Sequence, residues 1–175
     1  MNILQQVKSF QSQGIYCVPV ENIITKKPKT KNGHWKNVEW SDQDFLNANA
    51  FGIEHEKSNI VDIDFDNLSA IKFRHLLPLD TLIVGKIVDG LKIPTHYFYR
   101  VNGKKVKITH LEDRNKKDSV IVEILTNTQT VAGGGNRVII NNVPPKNLTD
   151  SEYFELVRSV RKICLMTMLA QHYPK

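Results

Sequence analysis

At 175 residues the chain is long enough to bury a hydrophobic core without disulfides or a structural metal, and we expect a single domain. Hydrophobic residues make up 41% of the chain and charged residues 24%, which excludes a disordered or fibrous protein. The formal charge of +6 favours an anionic partner.

Cysteine usage and hydropathy indicate a cytoplasmic protein. Cys17 and Cys164 are far apart in apolar contexts and lack the paired Cys or His spacing of a zinc site, so we expect free thiols and no zinc. No apolar run approaches the roughly 18 residues of a membrane span. The amino terminus also lacks the charged-then-apolar order of an export signal, so we expect no membrane partner.

Residues 1–50 predict a small α/β module. Apolar residues recur at helical spacing behind Asn2 and predict a short helix that Gly14 ends. A buried strand is predicted over 15–20. Ser41 and Asp44 form a variant capping box before a second short helix over 42–47. Two strands over 51–54 and 60–65 and a helix over 68–76 follow.

Residues 51–145 predict a mostly antiparallel sheet, because short β-type runs alternate with turn residues. The clearest hairpin signal is Asn102-Gly103, at the centre of 99–106. Thr149 and Glu152 make a capping box that opens a long C-terminal helix over 149–172. The sheet strands are predicted over 82–88, 95–101, 106–110, 120–125, 129–132 and 137–140. This order of elements predicts an α+β fold.

Three aspartates alternate with large apolar residues in one predicted strand. Asp62, Asp64 and Asp66 would share one face of it while the apolar residues meet the core. Neighbouring carboxylates repel one another unless a cation relieves them, and this spacing suits one or two Mg²⁺ or Mn²⁺ ions. The alternative is a strand that runs into an acidic turn. We assign Asp66 and Asn67 to that turn, where either can N-cap the next helix.

Two further polar residues interrupt apolar strand patterns. His96 shares a predicted strand face with Phe98 and Arg100, and Glu123 is the only charge in an apolar run. Each also has a structural interpretation, as a buried histidine with satisfied hydrogen bonds or as an edge glutamate. The order of the carboxylate pair, the histidine and the third carboxylate favours a functional site.

Basic residues fall into two clusters, which favour a polyanionic substrate held beside the carboxylates. The alternative for each cluster is a solvated loop. The first cluster contains Lys26, Lys27, Lys29, Lys31 and Lys36. The second contains Arg100, Lys104, Lys105, Lys107, Arg114, Lys116 and Lys117.

These motifs, in this order, resemble the archaeo-eukaryotic primase superfamily, especially its bifunctional primase-polymerase branch from phages, plasmids and other mobile elements. The family's first motif, apolar residues before Asp-x-Asp, matches Ile60 to Asp64. Its second, often Lys-x-Ser-x-His, matches Lys92 to His96 with Pro94 where Ser is usual. Its third, one acidic residue on an apolar strand, matches Glu123.

The resemblance extends to the amino-terminal part, and it covers about residues 3 to 145. Gly14 precedes an apolar strand ending in Val18-Pro19-Val20, and the Phe51-Gly52-Ile53 strand comes just before the acidic motif. Two departures concern nucleotide binding. The Ser-Gly-Gly run common before the family's histidine is missing, and Gly133-Gly134-Gly135 stands near the family's usual Pro-Pro-Ser segment.

The resemblance implies template-directed nucleotidyl transfer with two Mg²⁺ or Mn²⁺ ions, on a single-stranded DNA template with NTP or dNTP substrates. Asp62, Asp64 and Glu123 would hold the metal ions, and Lys92, His96 and Arg100 would contact the nucleotide phosphates. Our candidates for template contacts are Lys26, Lys27, Lys104, Lys105 and Lys107. A helicase or another replication protein would act from a different chain or region, since no P-loop motif is present. The host would be a bacterial or archaeal cell.

Two alternatives remain open on the residues. One is a non-catalytic nucleic-acid-binding replication protein with an RRM-like sheet, in which Tyr97 and Tyr99 would stack on bases. The other is a metal-dependent nuclease or phosphatase, because two-metal carboxylate sites serve hydrolysis as readily as synthesis.

Overall fold

The computed structural model of the chain describes residues 2–36, 38–103, 105, 108–112 and 120–172. These residues form an α+β fold with mostly antiparallel sheets, which confirms the predicted fold class. The helices are α1 (Ile3–Gln11), α2 (Asp42–Leu46), a 3-10 helix (Ala70–Leu76) and α3 (Asp150–His172). The strands are β1 (Cys17–Asn22), β2 (Lys27–Pro28), β3 (Ala50–Glu54), β4 (Ile60–Asp64), β5 (Leu82–Val88), β6 (Leu91–Val101), β7 (Ile108–Glu112), β8 (Val120–Leu125), β9 (Gln129–Gly133), β10 (Arg137–Asn141) and β11 (Lys146–Leu148).

Side chains cap the helix ends as the sequence predicts. Asn2 Oδ1 accepts from the Gln5 backbone N–H at 2.9 Å, and the Gln5 side chain returns a bond to the Asn2 N–H, which satisfies two N–H groups that the first turn of α1 leaves unpaired. Equivalent capping boxes open α2 and α3. The helix predicted over 68–76 is instead the shorter 3-10 helix. Asn67 stabilises the turn before it by accepting from the Ser69 N–H at 2.8 Å.

The strands form two sheets. The larger has the order β10-β5-β6-β4-β8-β7, with β11 added in parallel beside the end of β6. The smaller has the order β2-β1-β3-β9 and is antiparallel. The chain passes from β9 in the smaller sheet directly to β10 in the larger one, so the turn between them connects the two sheets.

The predicted hairpin around Asn102-Gly103 is wrong. In the described residues β7 pairs with β8, while β6 pairs with β4, β5 and β11. The tight hairpin lies instead at Asp89-Gly90, between β5 and β6, where Val88 is opposite Leu91. Asp89 has φ 50° and Gly90 φ 77°, the two positive values that a type I′ turn needs.

The larger sheet is covered on both faces. Val61 and Ile63 pack in one core with side chains from α3 and the 3-10 helix, such as Tyr153. Ile60 packs on the opposite face, in a second core with Phe51 of the smaller sheet and side chains of α1. Because side chains alternate along a strand, Asp62 and Asp64 face the smaller sheet with Ile60. Among the described helices, none is both long and apolar enough to cross a membrane.

Candidate active site

The register of the larger sheet places three of the predicted residues in one row. Asp64 on β4 is directly opposite His96 on β6 and opposite Glu123 on β8. Residues directly opposite one another in neighbouring antiparallel strands have Cβ atoms about 5 Å apart and share a face. The sequence order of these residues therefore corresponds to a real cluster on the face that meets the smaller sheet.

Three carboxylates converge at the end of β4. Oxygen atoms of Asp64, Asp66 and Glu123 lie within 4.8 Å of one another. Asp64 is 8% exposed, Glu123 is half-buried and Asp66 is exposed, so the cluster begins in the interior and opens to solvent on one side. This grouping differs from the predicted set of Asp62, Asp64 and Glu123. Asp66, which we assigned to a turn, takes the third position, and the Asn67 side chain stabilises that turn.

Asp62 lies deeper, with no exposed surface, and its Oδ2 atom accepts two hydrogen bonds. Thr130 on β9 of the smaller sheet donates its hydroxyl proton to Oδ2 at 2.6 Å, and His96 Nδ1 lies 3.0 Å from the same oxygen. The only hydroxyl proton of Thr130 goes to Asp62, so His55 Nε2, 3.0 Å from Thr130 Oγ1, must carry the proton that it donates there. Asp62 Oδ1 is buried and has no partner among the described residues.

Arg137 contacts His96 from the other side. Its Nη1 atom lies 3.0 Å from His96 Nε2. A guanidinium carries only donors, so Nε2 must accept and the ring proton must sit on Nδ1, facing Asp62. Burial acts to lower the pKa of His96. The negative charges of Asp62 and Asp64 outweigh burial and raise that pKa. Arg137 opposes a second proton on the ring, because protonated Nε2 would place two donors face to face at 3.0 Å.

Burial sets the charge states of the acidic residues in different ways. Burial raises the pKa of Asp64 to about 7, and the charges of Asp62 and Asp66 add to this, whereas His96 and Lys26 oppose it. Burial also acts to raise the pKa of Asp62, but His96 and the other hydrogen-bonding neighbours outweigh it and hold that pKa below its usual range. Asp62, which lies behind the cluster, therefore favours its ionised form, whereas Asp64 in the cluster exchanges its proton near neutral pH.

The other two predicted nucleotide-binding residues lie elsewhere. The Arg100 guanidinium donates from Nη2 to the backbone carbonyls of Gln13 at 3.0 Å and Gly14 at 3.5 Å, so it joins the end of α1 to β6. Lys92 is exposed near the Asp89-Gly90 turn, four residues and about 13 Å of strand from His96. The structure does not bring either residue to the acidic cluster, and for Arg100 it shows a structural contact instead.

The predicted template-binding lysines divide into three groups. Lys26 is exposed and lies close enough to Asp64 to lower its pKa, and Lys27 is exposed on β2. Lys105 donates to Asn59 Oδ1 at 3.2 Å. Lys104 and Lys107 lie outside the described residues. Acidic residues from distant parts of the chain pair with several other members of the first basic cluster: Lys29 and Lys31 pair with Asp44, and Lys36 pairs with Glu56.

Three residues that contact Asp62 or His96, directly or through Thr130, were not predicted from the sequence: His55, Thr130 and Arg137. His55 stands just after β3 among other polar residues, and Thr130 fits an ordinary alternating strand, so neither interrupts an apolar pattern as His96 does. Arg137 stands two residues after the Gly133-Gly134-Gly135 run, which we considered as a P-loop and as a departure from the family's Pro-Pro-Ser segment. Its place immediately after a glycine-rich turn was the available signal.

The acidic cluster fits a hard divalent cation. Its donors are carboxylate oxygens, the ligands that Mg²⁺ and Mn²⁺ prefer, and they converge from two strands and the segment that follows β4. The buried, unpartnered Oδ1 of Asp62 is a further oxygen in the same region of β4. No protein-family model matches the chain, and a search of curated proteins gave no significant match.

Proposed function

We propose that the chain is a primase-polymerase catalytic domain of the archaeo-eukaryotic primase type, which joins nucleotides on a single-stranded DNA template with Mg²⁺ or Mn²⁺. The observation that carries the proposal is the row of His96, Asp64 and Glu123 across three neighbouring strands, extended by Asp66. The motifs of the resemblance are thus adjacent in space and face the smaller sheet. Replication of a mobile element or phage is the setting that the resemblance suggests.

Asp64, Asp66 and Glu123 would hold the divalent cations, and the Oδ1 atom of Asp62 is the oxygen that its hydrogen bonds leave for the same purpose. Bound cations supply positive charge that stabilises the transferring phosphate and favours ionisation of the attacking 3′-hydroxyl. The residues behind the cluster fix the geometry. Thr130 of the smaller sheet and His96 of β6 bond to one oxygen of Asp62, and His55 holds the Thr130 hydroxyl in place, so the second oxygen of Asp62 keeps a defined direction.

The same fold bears on the first alternative, a non-catalytic nucleic-acid-binding protein. That interpretation relied on Tyr97 and Tyr99 as stacking platforms, but both rings are fully buried in the core beneath α3. Buried rings cannot stack on bases. The second alternative, a metal-dependent nuclease or phosphatase, would use the same carboxylates, so only the reaction products separate it from our proposal.

The proposal is tested by incubating the protein with a single-stranded DNA template, labelled nucleoside triphosphates and Mn²⁺, with and without an annealed primer. We expect new or extended primers, and their loss in Asp64→Ala and Glu123→Ala variants that still fold. Cleavage of the template without synthesis would identify a nuclease, and binding without either reaction would support the non-catalytic alternative. A matched control is Asp80→Ala, since Asp80 is exposed, pairs with Lys146 and does not belong to the acidic cluster.

A further inference from the structure

The contact between Arg137 and His96 changes which residue can meet an anionic substrate. His96 is the predicted phosphate donor, but both of its ring nitrogens are engaged: Nδ1 faces Asp62 at 3.0 Å, and Nε2 accepts from Arg137 at 3.0 Å. A neutral imidazole has one donor and one acceptor, and both are used here. His96 therefore has no hydrogen-bonding atom left for a phosphate while these contacts persist.

Arg137 has donors to spare. Its guanidinium carries five N–H groups, and the hydrogen bond to His96 uses one of them. The side chain is half-buried and forms part of the wall of a cavity of about 310 Å³ between α1 and β10. The lining residues of that cavity are Gln6, Arg137, Val138, Ile139, Ile140 and Asn142. Arg137 thus connects the acidic cluster, through His96, to an open space of a size that holds small ligands.

The backbone holds Arg137 in this position. Arg137 is the first residue of β10, and its N–H donates to the Gly134 carbonyl at 3.1 Å across the turn that joins the two sheets. Gly134 has φ 95°, and a Cβ atom there would lie 2.4 Å from the Asn49 carbonyl oxygen, so only glycine fits. Arg137 shares a sheet face with Ile139, which is opposite Val84, and Val84 is opposite His96. The guanidinium reaches His96 across β5 on that face.

We infer that Arg137 is the residue that binds the anionic phosphate tail of the substrate, and that His96 is a positioning residue which orients Arg137 and Asp62. This inference deepens the proposed function and rests on it. The chain of hydrogen bonds runs from Arg137 to His96 and on to Asp62. One imidazole ring therefore orients both the guanidinium that binds the phosphate and a carboxylate of the acidic site. A bidentate guanidinium matches phosphate oxygens well, and charge-assisted bonds of this kind are stronger than neutral ones.

The direct test is binding of magnesium tripolyphosphate, measured by titration calorimetry, to the wild-type protein and to Arg137→Ala, Arg137→Lys and Lys92→Ala. We expect about a tenfold or larger loss of affinity in Arg137→Ala, because a charge-assisted hydrogen bond is removed. Arg137→Lys keeps the positive charge but lacks the bidentate pair of N–H donors, so it should recover part of the lost affinity. Lys92→Ala is the matched control and should bind like the wild type. Unchanged binding in Arg137→Ala, a loss confined to Lys92→Ala, or no binding by the wild type overturns the inference.

A second measurement tests the positioning of His96 without any substrate. Imidazole ¹⁵N shifts of the wild-type protein should show His96 as the neutral ring with its proton on Nδ1, and Arg137→Ala should lose this signature. A ring protonated on both nitrogens, or on Nε2 alone, contradicts the assignment. If tripolyphosphate binding depends on Arg137 but no primer is made or extended, the proposed function fails while this inference stands. If primer synthesis is insensitive to Arg137→Ala, the inference fails while the proposed function stands.

Discussion

Replacing Asp64 by Asn should stabilise the metal-free protein above neutral pH, although it removes a residue of the proposed active site. Burial raises the pKa of Asp64 to about 7, whereas its ordinary value is 3.8. Below pH 4 this carboxyl group is protonated in the folded and unfolded chains alike. As the pH rises, the unfolded chain loses the proton first, so wild-type stability falls between about pH 4 and pH 7.

The size of the effect follows from the shift in pKa. A difference of about 3 pH units corresponds to about 4 kcal/mol of unfolding free energy at about 1.4 kcal/mol per unit. This figure is an upper bound, because the charge of Asp62 contributes to the shift and the site relaxes when the charge changes. Asn has nearly the same shape and no charge, so the variant should not lose stability over this pH range.

The assay is urea unfolding in EDTA at pH 5 and pH 8 for the wild type, Asp64→Asn and Asp66→Asn. The advantage of Asp64→Asn should be larger at pH 8 than at pH 5. Asp66 belongs to the same acidic cluster but is exposed, so Asp66→Asn should show no comparable gain. If Asp64→Asn, compared with the wild type, is destabilised at pH 8 as much as at pH 5 or more, our account of Asp64 as a buried charge maintained for function is refuted.

Binding of Mn²⁺ should tighten between pH 6 and pH 8, because Asp64 must release its proton to become a ligand; calorimetric titrations that show no pH dependence would contradict this. Thr130→Val removes a donor to the buried Asp62 and should cost about 1–3 kcal/mol of unfolding free energy, whereas Thr128→Val should cost little; equal costs would argue against the bond. Arg100→Met should cost about 1–2 kcal/mol in the same unfolding assay but leave tripolyphosphate binding unchanged, and a tenfold loss of that binding would restore Arg100 to the nucleotide site.

Much of the fold could be predicted because local patterns and the tertiary structure agree. Asn2, Ser41 and Thr149 each open a helix with a capping box, and the strand over 82–88 has its predicted bounds. The hairpin prediction failed at Asn102-Gly103 because β4 and β11 pair with the two edges of β6 at Tyr99 and Arg100, which leaves no edge for a following strand. Asp89-Gly90 forms the turn, whereas the segment after Asn102 leads to a strand that pairs with β8.

The site could be predicted only where a polar residue interrupts an apolar pattern. His96, Asp64 and Glu123 were found in this way, and the strand register brings them together. Thr130 was not found because its importance comes from the packing of the smaller sheet on the larger one, and Arg137 because its contact crosses β5 within the larger sheet. Neither contact leaves a periodic signal in the sequence. Asp66 takes the place of Asp62 in the carboxylate group for a local reason. The chain leaves β4 after Asp64, so strand alternation no longer decides where Asp66 points.

The most direct test of the proposed metal-dependent site is a crystal structure with Mn²⁺ and a non-hydrolysable nucleoside triphosphate, with the ions located by anomalous scattering. We predict at least one ion bonded at about 2.1 Å to carboxylate oxygens of Asp64 and Glu123, with the phosphate tail on the side of Arg137. An ion that binds elsewhere, or a nucleotide that leaves these carboxylates without a metal, would contradict the account.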